Sequence, residues 1–310
     1  MPDIVISEFM DETAVARLSR DHETLYDPEL VDKPAALARA VASARSLIVR
    51  NRTEVRGALL DAGALLACVG RLGVGLDNID VETCQARSIS VYPATGANDL
   101  AVAEYVIAAA MSLLRGAYDS RAAVAAGAWP RQALVGRELS GKTMGLVGYG
   151  AIARETARRA VALGMRVVAV DPFLAPDAPD WGDTGQLGID DLLSEADVVS
   201  LHVPLTAGTR HMISAETLAR MKPDAVLINA ARGGIVDETA LAEALHANRL
   251  GGAALDVFEV EPLTEERGGM FEGLTNLILT PHVAGVTAES NVRVSHLIAD
   301  KVLYHLSEKT

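Results

Sequence analysis

Three apolar runs in the second half of this 310-residue chain each end in a side chain that can do chemistry. "AVLINAARGG" ends in Arg232. "GAALDVFEVEP" gives Asp256, then Glu259 and Glu261. "LILTPHVAG" gives His282. Apolar runs of this length between turn residues read as strands. In an open α/β sheet, ligands bind outside the carboxyl ends of the strands. These three ends would therefore bring a base, an acid and a cation to one rim. An imidazole titrates near neutral pH and can take or return a proton there. Each residue also has a plain reading. Arg232, before Gly233-Gly234, can be an ordinary loop residue. Glu261, before Pro262, can be a solvated carboxylate. His282, behind Thr280-Pro281, can be a cap.

A second motif weighs against the plain readings. "KTMGLVGYGAIARETARRAVALGMRVVAVDPF" runs strand, glycine turn, helix, strand, Asp171. Gly148 permits a tight turn, and Gly150 lets the backbone approach a pyrophosphate. Ala153 stands where a third glycine often sits, which the fingerprint tolerates. The helix N-terminus, at Ala151-Ile152, offers unpaired N–H groups and a partial positive charge. Asp171 follows Gly150 by 21 residues at the next strand's end, where it can accept from both ribose hydroxyls. It would repel a 2′-phosphate, so the expected cofactor is NAD.

The elements that must carry these residues alternate throughout. Expected strands are Ile4–Ser7, Leu47–Arg50, Leu65–Val69 and Ile89–Tyr92, then Thr143–Val147, Arg166–Val170, Val198–Leu201, Ala225–Asn229, Ala253–Asp256 and Leu277–Thr280. Helical patterns separate them. One opens at Asp32-Lys33-Pro34 with a cap and an early proline; another opens at Thr53-Glu54 and stops at Gly63. Near-continuous apolar strands between helices indicate parallel sheets covered on both faces. The expected fold is α/β with two doubly wound parallel-sheet domains and a cleft between them: a Rossmann dinucleotide-binding domain and a smaller flavodoxin-like substrate domain. A long helix, Asn98 to Arg115, leads into a less periodic arm ending near Gly141. A last amphipathic helix, about Ala288 to Leu306, needs a surface to cover. If it crosses back, the substrate domain is discontinuous, 1–94 plus 285–310, and the dinucleotide domain is 95–284.

Bulk properties narrow the function. Half of the residues are hydrophobic and the formal net charge is −13. Such a surface repels nucleic acid and anionic membrane, so neither is an expected partner. An anionic substrate would need local basic residues. Cys68 and Cys84 suit neither a disulfide framework nor zinc, and no metal is expected. The N-terminus lacks a basic, apolar leader pattern, which predicts a cytoplasmic protein.

The chain resembles the D-isomer-specific 2-hydroxyacid dehydrogenases along nearly its whole length. The matching stretches are "GRLGVGLDNID", "ATGANDLAVAE", "GKTMGLVGYGAIA", "LHVPLT", "NAARGGIVDE", "GAALDVFEVEP" and "LTPHVAG". The resemblance implies a catalytic set on Arg232, Glu261 and His282. Glu261 would fix the imidazole tautomer, and Arg232 would grip the substrate carboxylate. It implies cofactor contacts at Ala151, Ile152, Asp171, Ala230, Ala231 and Asp256, with His202, Val203, Pro204, Thr209 and Gly285 on the same rim. Asp256 would hold the nicotinamide carboxamide. The backbone of Leu72, Gly73, Val74 and Gly75 would bind the carboxylate. A homodimer through 98–141 is also implied; Trp129-Pro130 reads either as its anchor or as a turn packed on its own domain.

The substrate is less legible. "IVRNRTEV" sets Arg50 and Arg52 around Asn51, which reads either as ordinary surface or as a seat for a second anion. The loop resembles that of 3-phosphoglycerate dehydrogenases. With "ISEFMDETAV" it also looks like bacterial (S)-sulfolactate dehydrogenases. The chain ends at Thr310, so the regulatory extension of longer phosphoglycerate dehydrogenases is expected to be absent. A hydroxypyruvate or glyoxylate reductase is the alternative within the family. An NAD-sensing, corepressor-like binding protein is the alternative outside enzymes.

Overall fold

The computed structural model describes residues 2–308, which divide into two compact units. One comprises Met1–Asn98 with Val286–Thr310, the other Asp99–Gly285.

The first unit is built on five parallel strands: β1 (Ile4–Ile6), β2 (Thr24–Tyr26), β3 (Ser46–Val49), β4 (Cys68–Arg71) and β5 (Ser90–Pro93), in the order β2-β1-β3-β4-β5. Side chains alternate between faces, as strand geometry demands. Ile4, Ile6, Ile48 and Cys68 join one apolar cluster, while Val5, Leu47, Val49 and Val69 join the other. The helices α1 (Glu12–Leu18), α2 (Pro34–Val41), α3 (Ala58–Ala62) and α4 (Val81–Ala86) connect these strands. The C-terminal helix, Ala288–Glu308, packs Val294, Ile298 and Val302 into the first of the two clusters.

Three local expectations are corrected. The helix expected from Thr53 begins only at Ala58, because Val55 forms a parallel bridge with Ile79 and Gly57 turns the chain at φ 51°. Asp32 does not cap α2: Lys33 holds that position without a side-chain bond, and Asp32 lies in a preceding 3-10 turn. The strand expected from Leu65 starts at Cys68, which pairs with Ser46. That shift puts Arg71 at the strand's carboxyl end. Strand β2 was not expected.

The second unit has seven parallel strands: β6 (Thr143–Val147), β7 (Arg166–Val170), β8 (Gly185–Gln186), β9 (Val198–Leu201), β10 (Val226–Asn229), β11 (Gly252–Leu255) and β12 (Leu277–Leu279). Their order is β12-β11-β10-β9-β6-β7-β8, so the winding reverses between β6 and β9. The helices are α5 (Asp99–Arg115), α6 (Arg121–Ala125), α7 (Ala151–Ala162), α8 (Ile189–Glu195), α9 (Ala215–Leu218), α10 (Glu238–His246) and α11 (Glu265–Gly268). Met144, Leu146, Val226 and Ile228 face α5 and α7, while Val147, Val199, Leu227 and Leu255 face the side of α8 and α10. With both faces covered, the central strands β6, β9, β10 and β11 are buried along their length, as their largely apolar sequences require. Among the described residues, no single helix is long and apolar enough to cross a membrane.

Candidate active site

The glycine turn sits at the reversal of winding, where open α/β sheets bind ligands. Gly148 has φ 88°, and a Cβ there would stand 2.6 Å from the His202 carbonyl oxygen at the end of β9. A side chain would push these two strand ends apart. Gly150 differs, because nothing lies within 4 Å of where its Cβ would be. It precedes α7 with no side-chain cap, so no capping side chain occupies the first N–H groups of α7. Asp171 closes the turn, accepting from the Tyr149 N–H at 2.8 Å and the Phe173 N–H at 2.9 Å. An open glycine edge, an uncapped helix start and a fixed carboxylate fit a dinucleotide.

His202 donates its backbone N–H to the Val147 carbonyl, and its Nε2 lies 3.0 Å from the Ser200 hydroxyl. Burial pushes its pKa down to about 4, so this imidazole is neutral at working pH. Val203 lies beside Gly148, and Thr209 Oγ1 donates to the Pro204 carbonyl, which holds this rim in a tight turn.

The ends of β10, β11 and β12 are knitted together by side chains. After β10, the Asn229 amide donates to the Arg232 carbonyl at 2.9 Å, and its oxygen accepts from the Ala231 N–H at 3.1 Å. That clamp forms the Ala230–Arg232 turn. Arg232 Nη1 donates to the Ala231 carbonyl. After β12, His282 adopts φ 56°, a left-handed conformation uncommon for a residue with a Cβ. The strain is held by Asp256. Its carboxylate accepts from the Thr280 hydroxyl (2.6 Å) and the N–H groups of Val283 and Ala284 (both 2.8 Å), and its carbonyl accepts from the His282 N–H. The Tyr105 hydroxyl of α5 extends the network to Thr280 at 2.7 Å. Asp256, expected to hold a carboxamide, also uses both oxygens to hold the turn that carries His282.

Glu261 and His282 meet. Nδ1 of the ring lies 2.7 Å from Glu261 Oε2, and Oε1 accepts from the Phe258 N–H at 3.0 Å. Burial works to raise the Glu261 pKa. The bonds from His282 and Phe258, with the charges of His282 and Arg232, outweigh it and hold the carboxyl below its ordinary value. Glu261 is therefore an anion facing an imidazole.

In the first unit, the Arg50–Thr53 loop is also built from beneath. Buried Glu8 accepts from the N–H groups of Arg50 (2.9 Å), Arg52 (3.2 Å) and Thr53 (3.0 Å), and Asn78 donates to the carbonyls of Arg50 and Thr53. Arg50 donates to Asn291 at 3.0 Å and lies over the Phe9 ring. Arg52 is paired with Asp32, and Asn51 is exposed. Of the Leu72–Gly75 amides, Leu72 donates to the Val49 carbonyl and Gly73 to the Arg71 carbonyl. Sequence reasoning passed over Arg71. Its guanidinium lies over this glycine turn, 1.5 Å from where a Gly73 Cβ would stand. The signal was a basic residue directly before a glycine turn. Asn229 and Glu8 were also passed over, since a buried clamp looks like any polar residue in a sequence.

A dinucleotide turn after β6 and an imidazole–carboxylate pair after β11 and β12, at the carboxyl ends of one sheet, fit a nicotinamide-dependent dehydrogenase. Comparison with known proteins narrows the class. Residues 107–284 match the model of the D-isomer specific 2-hydroxyacid dehydrogenase, NAD binding domain. An (S)-sulfolactate dehydrogenase of Chromohalobacter salexigens is 55% identical over 97% of both chains. A hydroxypyruvate reductase of Thermotoga maritima is 37% identical over 97% of both. The crystal structure of a D-lactate dehydrogenase from Aquifex aeolicus, complexed with NAD and lactic acid, superposes with a TM-score of 0.85 at 27% identity, covering 98% of this chain and 96% of that one. The chain belongs to the D-isomer-specific 2-hydroxyacid dehydrogenase family. It is an oxidoreductase that acts on a CH–OH group and uses NAD.

Proposed function

We propose that this dehydrogenase interconverts (S)-sulfolactate and its 2-oxo acid, with Arg232, Glu261 and His282 as its catalytic residues. The carrying observation is the 2.7 Å contact between Glu261 and His282 Nδ1. A carboxylate at Nδ1 keeps a proton there and leaves Nε2 as the atom that exchanges one. When bound, NAD accepts or returns the hydride. His282 takes the hydroxyl proton in oxidation and gives it back in reduction. Glu261 stabilises the imidazolium that forms between these events. Arg232 binds the carboxylate and polarises the oxygen on C2.

The sulfonate reading rests on the 55% identity to the relative of that name and on Arg50. An acidic protein needs a fixed cation for a dianionic substrate. Arg50, oriented by Asn291 and Phe9, supplies one, whereas Arg52 is already engaged by Asp32. Arg71 adds positive charge at the Val74-Gly75 amides. The test is NADH consumption with 3-sulfopyruvate, 3-phosphohydroxypyruvate, hydroxypyruvate, glyoxylate and pyruvate. Sulfopyruvate is expected to give the highest kcat/KM. Equal or better turnover of hydroxypyruvate would remove the sulfonate reading, and no turnover of any acid would favour an NAD-sensing binding protein.

Two further parts of the proposal concern setting. The arm after α5 exposes Tyr118, Val124, Trp129 (77% exposed) and Val135, more apolar surface than a linker needs. This supports a homodimer, which light scattering would report as twice 32.6 kDa. Two buried free cysteines and the acidic composition suit a reducing cytoplasm.

A further inference from the structure

The stretch "RGGIVDE" ends in a glutamate that the chemistry above does not use. Glu238 is the first residue of α10, where a carboxylate would ordinarily face solvent and complement the helix dipole. Here the capping is done by Asp237, whose side chain accepts from the Ala240 N–H at 3.0 Å. Glu238 turns inward and is only 3% exposed. Its Oε1 accepts from the Glu259 N–H at 2.5 Å. Its Oε2 is buried with no hydrogen-bond partner among the described residues.

This bond joins the two loops that carry the site. Arg232 precedes Gly233, and a Cβ on Gly233 would stand 1.7 Å from the Phe258 carbonyl oxygen. The Arg232 loop therefore presses directly on the segment leading to Glu261. Five residues beyond Gly233, Glu238 reaches back and ties the next peptide, Glu259, to the start of α10. Two residues further on, Glu261 meets His282. We propose that Glu238 is a positioning residue for the acid–base pair, setting through the Glu259 amide where the Glu261 carboxylate stands.

The groups facing Glu238 indicate the form it takes. Glu259 and Glu261 are carboxylates and Arg267 is a cation. Glu259 is itself engaged by His211 and Arg267. Burial raises the Glu238 pKa, and the two carboxylates add to the rise against the Glu259 amide and Arg267. A buried oxygen without a partner costs far less on a neutral carboxyl than on an anion. Glu238 thus serves as a buried acceptor for the Glu259 amide, and Glu261 remains the counter-charge of the imidazolium.

The inference rests on the assignment of Glu261 and His282, so H282A is the control. The experiment measures NADH affinity by fluorescence, thermal midpoint, and kcat/KM against pH in the reductive direction for wild type, E238A, E238Q and H282A. E238A is expected to lower kcat by roughly tenfold, as misplaced catalytic groups do, with NADH affinity within twofold. The alkaline limb of its profile should move to lower pH by about half a unit or more, because the imidazolium loses part of its counter-charge. E238Q keeps a neutral oxygen acceptor and is expected to recover most of the turnover and the original limb. An E238A enzyme with wild-type kcat and profile overturns the inference, as does an E238Q enzyme as impaired as E238A. If E238A does not fold, E238Q decides alone. If H282A retains turnover, the acid–base assignment fails first.

Discussion

The Arg50–Thr53 loop and the Arg232–Glu261–His282 rim are both held by a buried carboxylate that accepts backbone N–H groups. Glu8 takes three amides under the first, and Asp256 takes two amides and a hydroxyl under the second. They differ in what is left to interact with a substrate. Under the rim, the clamps use residues that do no chemistry of their own, and His282 and Glu261 face each other. In the loop, the charge of Arg52 is spent locally on Asp32, while Arg50 keeps its charge and is only oriented by Asn291. A site for proton transfer needs one geometry held against strain. A site for an anion needs charge, and neighbouring groups can take part of it. Substitutions should therefore have steeper effects in the rim than in the loop.

The largest effect is expected at the imidazole. His282→Ala should lower kcat by about 10³-fold or more, with NADH affinity retained, since it removes the proposed proton-transfer group and leaves the glycine turn intact. Stopped-flow turnover and fluorescence titration measure the two. Unchanged turnover would end the assignment.

Removing the clamp beneath should come next. Asp256→Ala leaves the Thr280 hydroxyl and the Val283 and Ala284 amides without their acceptor, next to a residue at φ 56°. Unsatisfied buried donors cost about 1–3 kcal/mol each and do not add fully. A stability loss of roughly 2–4 kcal/mol in urea unfolding is expected. A turnover loss of about 100-fold should accompany it, because the turn that aims His282 then loses its side-chain clamp. Stability lost with turnover intact would mean that Asp256 serves the fold alone.

These two residues also show what the sequence makes legible. His282, Glu261 and Arg232 stand at strand ends, and strand ends follow from apolar runs, so their convergence can be read in advance. Thr143–Val147 and Arg166–Val170 are likewise found at their expected limits, since an apolar run between turn residues has few other ways to bury itself. Strands β2 and β8 carry no such run. They are edge strands whose order comes from pairing with β1 and β7, and pairing is not encoded locally. Asn229, Glu8 and Glu238 are illegible for a related reason. Whether a polar side chain turns inward depends on which backbone groups arrive from a distant loop. Glu238 in particular reads as a helix-start carboxylate until the Glu259 amide is seen beside it.

In the loop, the contrast is between its two arginines. Arg50→Ala should raise KM for sulfopyruvate about tenfold or more while changing KM for pyruvate little, as loss of a charge-assisted contact would. Arg52→Ala removes an exposed ion pair with Asp32, and such solvent-screened pairs contribute little. Its effect on KM should be less than threefold. Equal, large effects on sulfonated and plain acids would take the loop out of the specificity argument.

The last effect expected concerns stability rather than turnover, at His202, on the rim but outside the acid–base pair. Its folded-state pKa, about 4, lies below the ordinary 6.5. Between those values the unfolded chain binds a proton that the folded chain refuses. The contribution of this residue to stability is therefore complete above about pH 6.5, falls as pH drops, and levels off below about 4. The full shift corresponds to about 3 kcal/mol at about 1.4 kcal/mol per pH unit. The Ser200 hydroxyl and partial solvent access should reduce the measured figure to about 1–2 kcal/mol. His202→Asn keeps a polar side chain that does not titrate. Urea unfolding of both proteins at pH 7, 5.5 and 4 should show wild type losing that extra amount relative to the variant, while carboxylate contributions common to both cancel. Parallel curves would mean that His202 takes up its proton in the folded protein as readily as in the unfolded chain, and that the β9 end is wetter than its packing implies.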